Sequence, residues 1–280
     1  MDERFREILI NKAELVSSFP AWMLSRETVE RIRAAAKPAI IEVAGRDSIA
    51  AALRAAAANG YDLFLPSIAY TGTEFGDWRT AFEKVTFLAE RLGASGTGAE
   101  VLPPVALGAP ELWRALCGRY LLALYRRFGF HTPCVGCHLY LHAIRIPLAK
   151  KTDCRVVVGG ERESHNDRVK LNQIPRALDA YVDFLGRFGV VLALPLRHVT
   201  SGAEVQELVG RGRRDGEEHV ECVLSRNYLE HGGGLSYDEK AIGRFLEEFA
   251  FPLLERAINA YLAGRRPDYE KLADDLWPKS

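Results

Sequence analysis

VVVGGERESHNDRVKLNQ, residues 156–173, opens as a run of valines closed by a glycine pair and then turns into Glu161, Arg162, His165, Asn166, Asp167 and Arg168. A short β-branched run of this kind reads as a parallel strand covered on both faces. In open α/β sheets, ligands gather outside the carboxyl ends of such strands. A polar exit from a buried strand is therefore the first place to look for chemistry.

Working outward, strands and helices alternate. AIIEVA at 39–44, YDLFLP at 61–66, EVLPPVAL at 100–107, RVVVGG at 155–160 and VVLALPL at 190–196 read as strands. Helices are expected over about 47–58, 77–92 and 168–187, within PELWRALCGRYLLALYRRFG, where Pro110 suits a first turn, and through CHLYLHAIRIPLAKK, bent or broken at Pro147. This alternation predicts an α/β fold with a doubly wound, parallel five-stranded sheet and right-handed crossovers. Residues 1–37 read as a helical preamble, with Phe5, Ile8, Leu9 and Leu15 near helical spacing and Pro38 as a stop. Residues 38–210 form the α/β domain and 211–280 a C-terminal helical subdomain interrupted near Pro252. Ser201 with Glu204 has the spacing of a capping box.

The chain has 280 residues, 48% of them hydrophobic, with Lys plus Arg and Asp plus Glu both at 37, so no global charge draws it to a polyanion. The N-terminus lacks the basic and apolar regions of a secretory signal, and no apolar run approaches bilayer length; the expected location is the cytoplasm, without a membrane partner. Five cysteines, an odd number, argue against a secreted disulfide framework.

The turn in IIEVAGRDSIAAALRAA places Gly45, Arg46, Asp47 and Ser48 between the first strand and the first helix. Small residues there let backbone N–H groups at a helix start approach phosphate oxygens. The plainer reading is a turn with Asp47 or Ser48 as N-cap. CVGC holds Cys134 and Cys137 around Gly136, in a turn that points both sulfurs to one side. Such a pair serves as a zinc half-site, a redox pair or a structural clip. Cys117 and Cys154 read as small buried hydrophobes. Cys222 lies after the fifth strand, where the chain can return to the active edge. His142, His198 and His231 read as surface or satisfied histidines, and Trp78, Trp113, Phe245, Phe249 and Phe251 as packing.

Val43-Ala44-Gly45-Arg46-Asp47-Ser48 resembles the Ser-Gly-Gly-x-Asp-Ser loop of the PP-loop ATP pyrophosphatases, with Val43 and Ala44 replacing the leading Ser and first Gly. GGERESHNDR stands where that family has its second motif, with His165 and Asp167 as counterparts, and Pro195-Leu196 matches its Pro-Leu pair; the likeness covers residues 38–210. It implies a sheet of the adenine nucleotide alpha hydrolase-like (HUP) type and cleavage of ATP between the α- and β-phosphates, with Mg²⁺. It further implies a nucleotide cradle of Ala44, Gly45, Arg46, Asp47, Ser48, Gly160, Glu161, Arg162 and His165. Asp47, Asp167 and Arg168 would be catalytic, Asp47 and Asp167 as magnesium ligands, and Arg46, Arg162, Arg168 and Lys170 would supply positive charge.

Cys134, Cys137 and Cys222 fall where the iron–sulfur tRNA thiolation enzymes of that superfamily, of the 2-thiocytidine and 2-thiouridine type, hold a 4Fe-4S cluster with one iron open. The resemblance implies an adenylating sulfurtransferase acting on tRNA or a small-molecule sulfur acceptor, and a homodimer. Zinc held by the same cysteines with His131, His138 or His219 is the alternative. IAYTGTEFGDW at 68–78 is similar to the Asp-Thr-Gly-x-x-Phe segment of sulfonucleotide reductases, with Tyr70 in place of the Asp. A non-catalytic nucleotide-binding protein with a structural zinc is the third reading.

Overall fold

The computed structural model describes residues 19–166, 168–210 and 220–277. Helix α1 (Arg26–Ala34) leads into β1 (Pro38–Glu42), whose last four residues are all buried. Then follow α2 (Arg46–Asn59), β2 (Leu63–Tyr70), the short β3 (Glu74–Phe75), α3 (Arg79–Ala94), β4 (Glu100–Val101) and β5 (Val105–Gly108). The chain continues through α4 (Pro110–Trp113), running into a π turn at Arg114–Gly118, α5 (Leu121–Phe128), α6 (Thr132–Ala143), α7 (Ile146–Thr152) and β6 (Val156–Val158). It closes with α8 (Pro175–Arg187), β7 (Val191–Ala193), α9 (Gly202–Val209), β8 (Glu221–Cys222), α10 (Glu239–Phe245), a second π turn at Leu246–Ala250, α11 (Phe251–Leu262) and α12 (Tyr269–Asp274).

The main sheet is parallel and runs β4–β2–β1–β6–β7, with β5 also on β2. The third expected strand is thus two short ones, giving six strands in five positions. Val43 N–H donates to Ser67 O and Leu102 N–H to Phe64 O, so alternate residues of β2 face β1 and the edge. By that alternation Pro66, which has no N–H, faces the edge at the gap between β4 and β5, where Pro103 and Pro104 interrupt the partner. Winding outward from β1 to β5 and then back across to β6, the sheet reverses its order between β1 and β6, which opens a crevice at their carboxyl ends.

One face, through Ile41, Phe64 and Val158, packs on Ile49, Ala52, Val85, Leu88 and Val205 of α2, α3 and α9. The other, through Ile40, Leu65, Val157 and Leu192, shares a core with α1, α6, α7, α8, α10 and α11. Both faces are covered, as a doubly wound sheet requires. Ser201 Oγ accepts from the N–H groups of Ala203 and Glu204, the cap that its position implied.

Some expected boundaries move. Residues 168–174 are loop and a short 3-10 turn at Leu171–Gln173 rather than helix, and α8 starts only at Pro175, whose ring fits a first turn. CVGC is not in a turn but within α6, where a three-residue spacing still puts both sulfurs on one side. Pro147 opens α7. Among the described residues, no helix is long and apolar enough to cross a membrane.

Two glycines give opposite tests of this packing. A Cβ on Gly108, at the end of β5, would lie 2.1 Å from the Tyr70 ring, so Gly108→Ala should lower stability by about 1–3 kcal/mol. Gly186 in α8 has no atom within 4 Å of such a Cβ, so Gly186→Ala should raise stability by about 0.5–1 kcal/mol. Urea midpoints of the two variants check both signs.

Candidate functional site

The loop after β1 starts α2 with Gly45 as an extended N-cap that makes no side-chain cap bond. Ser48 Oγ instead braces the turn, donating to Gly45 O at 2.6 Å and accepting from Ala44 N–H at 3.1 Å. Across the crevice, the chain leaving β6 comes so close that a Cβ on Gly160 would sit 2.6 Å from Ser48 N. Only glycine allows these two backbones to meet.

Around that contact the polar exit of β6 folds back on itself. Arg162 is buried; its Nε donates to Asp47 Oδ2 at 2.9 Å, and Nη1 reaches Val199 O at 3.3 Å. Its Nη2 donates to His165 Nδ1 at 2.9 Å, which assigns His165 Nε2–H as the donor to Gln173 Oε1. Gln173 Nε2 donates in turn to Glu161 Oε2, and His138 Nδ1 donates to Glu161 Oε1 at 2.7 Å. A continuous chain of side chains thus runs from Asp47 on α2 to His138 on α6. Burial, with Lys170 and Arg162 nearby, holds His165 below the ordinary histidine value, in keeping with the neutral tautomer. Burial would push the Glu161 carboxyl up, but the His138 charge and N–H, with His142 and Lys170, outweigh it and hold the group at about 2.

A second buried set lies at the end of β1. Glu42 accepts from His142 Nδ1 at 2.8 Å and pairs with Arg145 Nη1 at 3.2 Å. Arg145 Nε donates to Ser67 Oγ at 2.8 Å, which ties α6 and α7 to β2. His142 Nε2, 3.7 Å from Glu161 Oε1, has no hydrogen-bond partner.

The thiols occupy the other end of α6. Cys134 Sγ lies 4.0 Å from Leu224 O, and Leu224 N–H donates to Cys222 Sγ at 3.4 Å, so α6 and β8 bring the two cysteines to one place. Cys222 Sγ is also 3.4 Å from Thr73 Oγ1, because Cys222 pairs with Glu74 across β3 and β8. Glu74 folds back to accept from Thr71 N–H at 2.8 Å and Gly72 N–H at 3.0 Å. Burial pushes the Cys134 thiol up to about 12 and raises Cys137 further, each with Cys222 as a contributing charge. Among the described residues no three His, Cys, Asp or Glu side chains stand at metal-ligand spacing.

The structure therefore brings Ala44, Gly45, Arg46, Asp47 and Ser48 of the turn before α2 against Gly160, Glu161, Arg162 and His165 after β6, while Cys134 and Cys137 lie on α6 and Cys222 on β8. Arg168 is exposed, its backbone closing a turn with His165 (His165 N–H to Arg168 O, 2.8 Å), and Asp167 lies outside the described residues, as does His219. Both Asp47 oxygens bind arginines, Oδ1 taking Arg46 at 3.2 Å. Of the two readings of His142, surface or satisfied, the second holds at Nδ1: the ring is buried and bonded to Glu42. Glu42, Arg145 and Gln173 carry no motif that marks them, and His138, a candidate zinc ligand by sequence, is bonded to Glu161. Two signals pointed to them: a glutamate inside the apolar run of β1, and the Cys134, His138, His142 spacing of four.

Burial would raise the Glu42 carboxyl, but Arg145 and His142 outweigh it and hold the group below its ordinary 4.5. A depressed folded value gives stability that is present above pH 4.5 and lost as pH falls below it. Glu42→Gln should therefore flatten the acid limb of a stability-against-pH curve. At pH 7, leaving Arg145 unpaired should cost about 3 kcal/mol. Denaturant midpoints measured from neutral to acid pH check both outcomes.

No protein-family model matches the chain. Over 252 residues it is 35% identical to the uncharacterized protein MJ0009 of Methanocaldococcus jannaschii, a match covering 89% of this chain and 91% of that protein. Identity at this level over nearly the full length of both carries the same fold, and the chain belongs to the family of that archaeal protein.

Proposed function

We propose that this protein is an ATP-dependent adenylating sulfurtransferase that releases AMP and pyrophosphate and uses Cys134, Cys137 and Cys222 as a metal or iron–sulfur site beside the nucleotide. The observation that carries the reading is the single hydrogen-bonded chain from Asp47, at a glycine-led helix start, to His138 on the helix that bears the thiols. A nucleotide crevice and a thiol set linked in this way suit a reaction that activates an acceptor oxygen at one end and delivers sulfur from the other.

The α2 N-terminus offers backbone N–H groups and a positive dipole end to phosphate. Arg46, 39% exposed at its side chain, can leave Asp47 for a phosphate oxygen or release that carboxylate to Mg²⁺, with Asp167 as the second candidate ligand. Arg162 is too deeply held to swing out and keeps Asp47 aimed. Lys170, whose ammonium burial destabilises against the pull of Glu161 and Asp47, adds positive charge at the same edge. These groups offset charge building on the departing pyrophosphate. The acceptor is tRNA or a small molecule, the site of action the cytoplasm, and the protein works as a homodimer.

The thiol end fits a sulfur-ligated group. The buried Trp113 Nε1 has no hydrogen-bond partner of normal geometry yet lies near enough to the Cys137 sulfur to favour its thiolate, and donors of this kind hydrogen-bond the sulfurs of bound clusters. Cys134, Cys137 and Cys222 would hold a 4Fe-4S cluster, which when bound supplies an iron able to carry sulfide. Zinc is the alternative occupant. A second reading, reduction of a sulfonucleotide, is favoured by the 3.4 Å approach of Thr73 in the TGTEF loop to Cys222.

Protein purified without oxygen should absorb broadly near about 400 nm; a colourless preparation with stoichiometric zinc defeats the cluster. Labelled ATP with a tRNA pool or a sulfur acceptor should yield AMP and pyrophosphate, and Asp47→Ala should lower that rate by about 10²–10³-fold. ADP and phosphate as products contradict the reading. Preference for adenylyl sulfate over ATP selects the reductase, and tight ATP binding that survives Asp47→Ala without turnover selects a binding protein.

A further inference from the structure

We propose that His142 is a positioning residue: a buried imidazolium that holds Glu42 through Nδ1–H and keeps Nε2–H as a second seat for Glu161, which the carboxylate takes when His138 is drawn away from it. This rests on the reading that the nucleotide and thiol ends work together, and deepens it by giving the link between them a released state.

His142 is 1% exposed at its side chain, and both of its ring nitrogens face carboxylates. Nδ1 lies 2.8 Å from Glu42 Oε1, which as a carboxylate oxygen only accepts, so Nδ1 bears a proton. Nε2 lies 3.7 Å from Glu161 Oε1 and makes no hydrogen bond. A lone pair at Nε2 would face carboxylate lone pairs inside the core, whereas an N–H is attracted to them. The balance of charge calls for the same proton. Glu42 and Glu161 are both buried, and Arg145 Nη1, 3.2 Å from Glu42 Oε1, offsets only one of them. His138 and Lys170 act on Glu161 from its open side. The Tyr181 ring is centred 5.2 Å from the His142 ring, and its hydroxyl is committed to Val135 O.

The Glu161 oxygen nearest His142 Nε2 is the one already bonded to His138 Nδ1 at 2.7 Å, so two histidines one helical turn apart on α6 address a single atom. A shift of about 1 Å would bring that oxygen to hydrogen-bond length from His142 Nε2. The two histidines differ in what they can do without it. His138, 29% exposed at its side chain, can turn its N–H to water, whereas the enclosed His142 Nε2–H has Glu161 alone within reach among the described residues. His142 is not the resting seat because Gln173 Nε2 holds the other Glu161 oxygen. For the same reason, a carboxylate that moves to His142 pulls on Gln173, then on His165 and Arg162, and so on Asp47. His138 is next in the chain to Cys137, so an occupant of the thiol end acts on the link at its first member. Only hydrogen bonds exchange in this step, and no proton leaves either histidine.

The test is ¹⁵N NMR of the seven histidine rings in the full-length protein at neutral pH. Wild type should show a buried ring with protons on both nitrogens, absent from His142→Asn, whose amide still reaches toward Glu42. In His138→Leu or His138→Ala, the Nε2–H signal of that ring should move downfield as a charge-assisted bond to Glu161 forms. Leucine fills the space and alanine empties it, with circular dichroism as the check on folding; Glu161→Gln gives the converse measurement, an upfield move of the same signal. A His142 ring with one bare nitrogen, or an Nε2–H signal that none of these changes displaces, overturns the second seat. Calorimetric titration with ATP and Mg²⁺ reads the far end. Affinity should change by about 5-fold or more in His138→Leu, and by less when His142→Asn is present as well. Equal effects in the two backgrounds overturn the coupling to Asp47. A wild type that binds no ATP defeats the nucleotide reading itself, and the histidine signals still decide the second seat.

Discussion

Two carboxylates buried at the ends of adjacent parallel strands set the terms for this molecule. Glu42 closes β1 and Glu161 follows β6, each only 8% exposed, on the two sides of the point where the strand order reverses. A buried carboxylate is costly unless it is paired and hydrogen-bonded. The chain meets that demand with one element: α6 brings His142 to Glu42 and His138 to Glu161, and Arg145, just beyond it, adds a cation. Satisfying the two charges therefore fixes where α6 lies across the carboxyl edge of the sheet.

Once α6 is held there, the position of the thiols follows. Cys134 precedes His138 by one helical turn on the same stripe, and Cys137 is its chain neighbour, so anchoring the helix also fixes where these two thiols lie. Cys222 arrives separately, through the small β3–β8 pair, which is no part of the main sheet. Irregular pieces supplying single groups to a rigid frame are how a common fold acquires particular chemistry.

The link between the two ends is neutral in its middle. His165 and Gln173 relay between Arg162 with Asp47 on one side and Glu161 with His138 on the other. Each of these atoms has a defined donor or acceptor role, so moving Asp47 disturbs partners as far as α6. A network with every role assigned specifies one arrangement, because any alternative leaves a buried polar atom without a partner.

The α/β class is legible in the chain alone. Short apolar runs between helical segments required a parallel sheet covered on both faces, and Gly45 and Gly160 marked the turns at its working edge. The third strand, expected as one run at 100–107, is split into β4 and β5 around Pro103 and Pro104, which have no N–H to pair. Which distant residues share a site is settled by the three-dimensional packing. Glu42 with His142 is a pairing 100 residues apart, and Cys222 meets Thr73 across 149. Local periodicity reports the face a side chain occupies, whereas such meetings depend on the crossing of α6 over the sheet and on strand pairing between remote segments. The loop expected as helix at 168–174 shows the same limit: its polar residues have helical spacing, yet Gln173 is drawn out of that pattern by a buried carboxylate that no local pattern reveals.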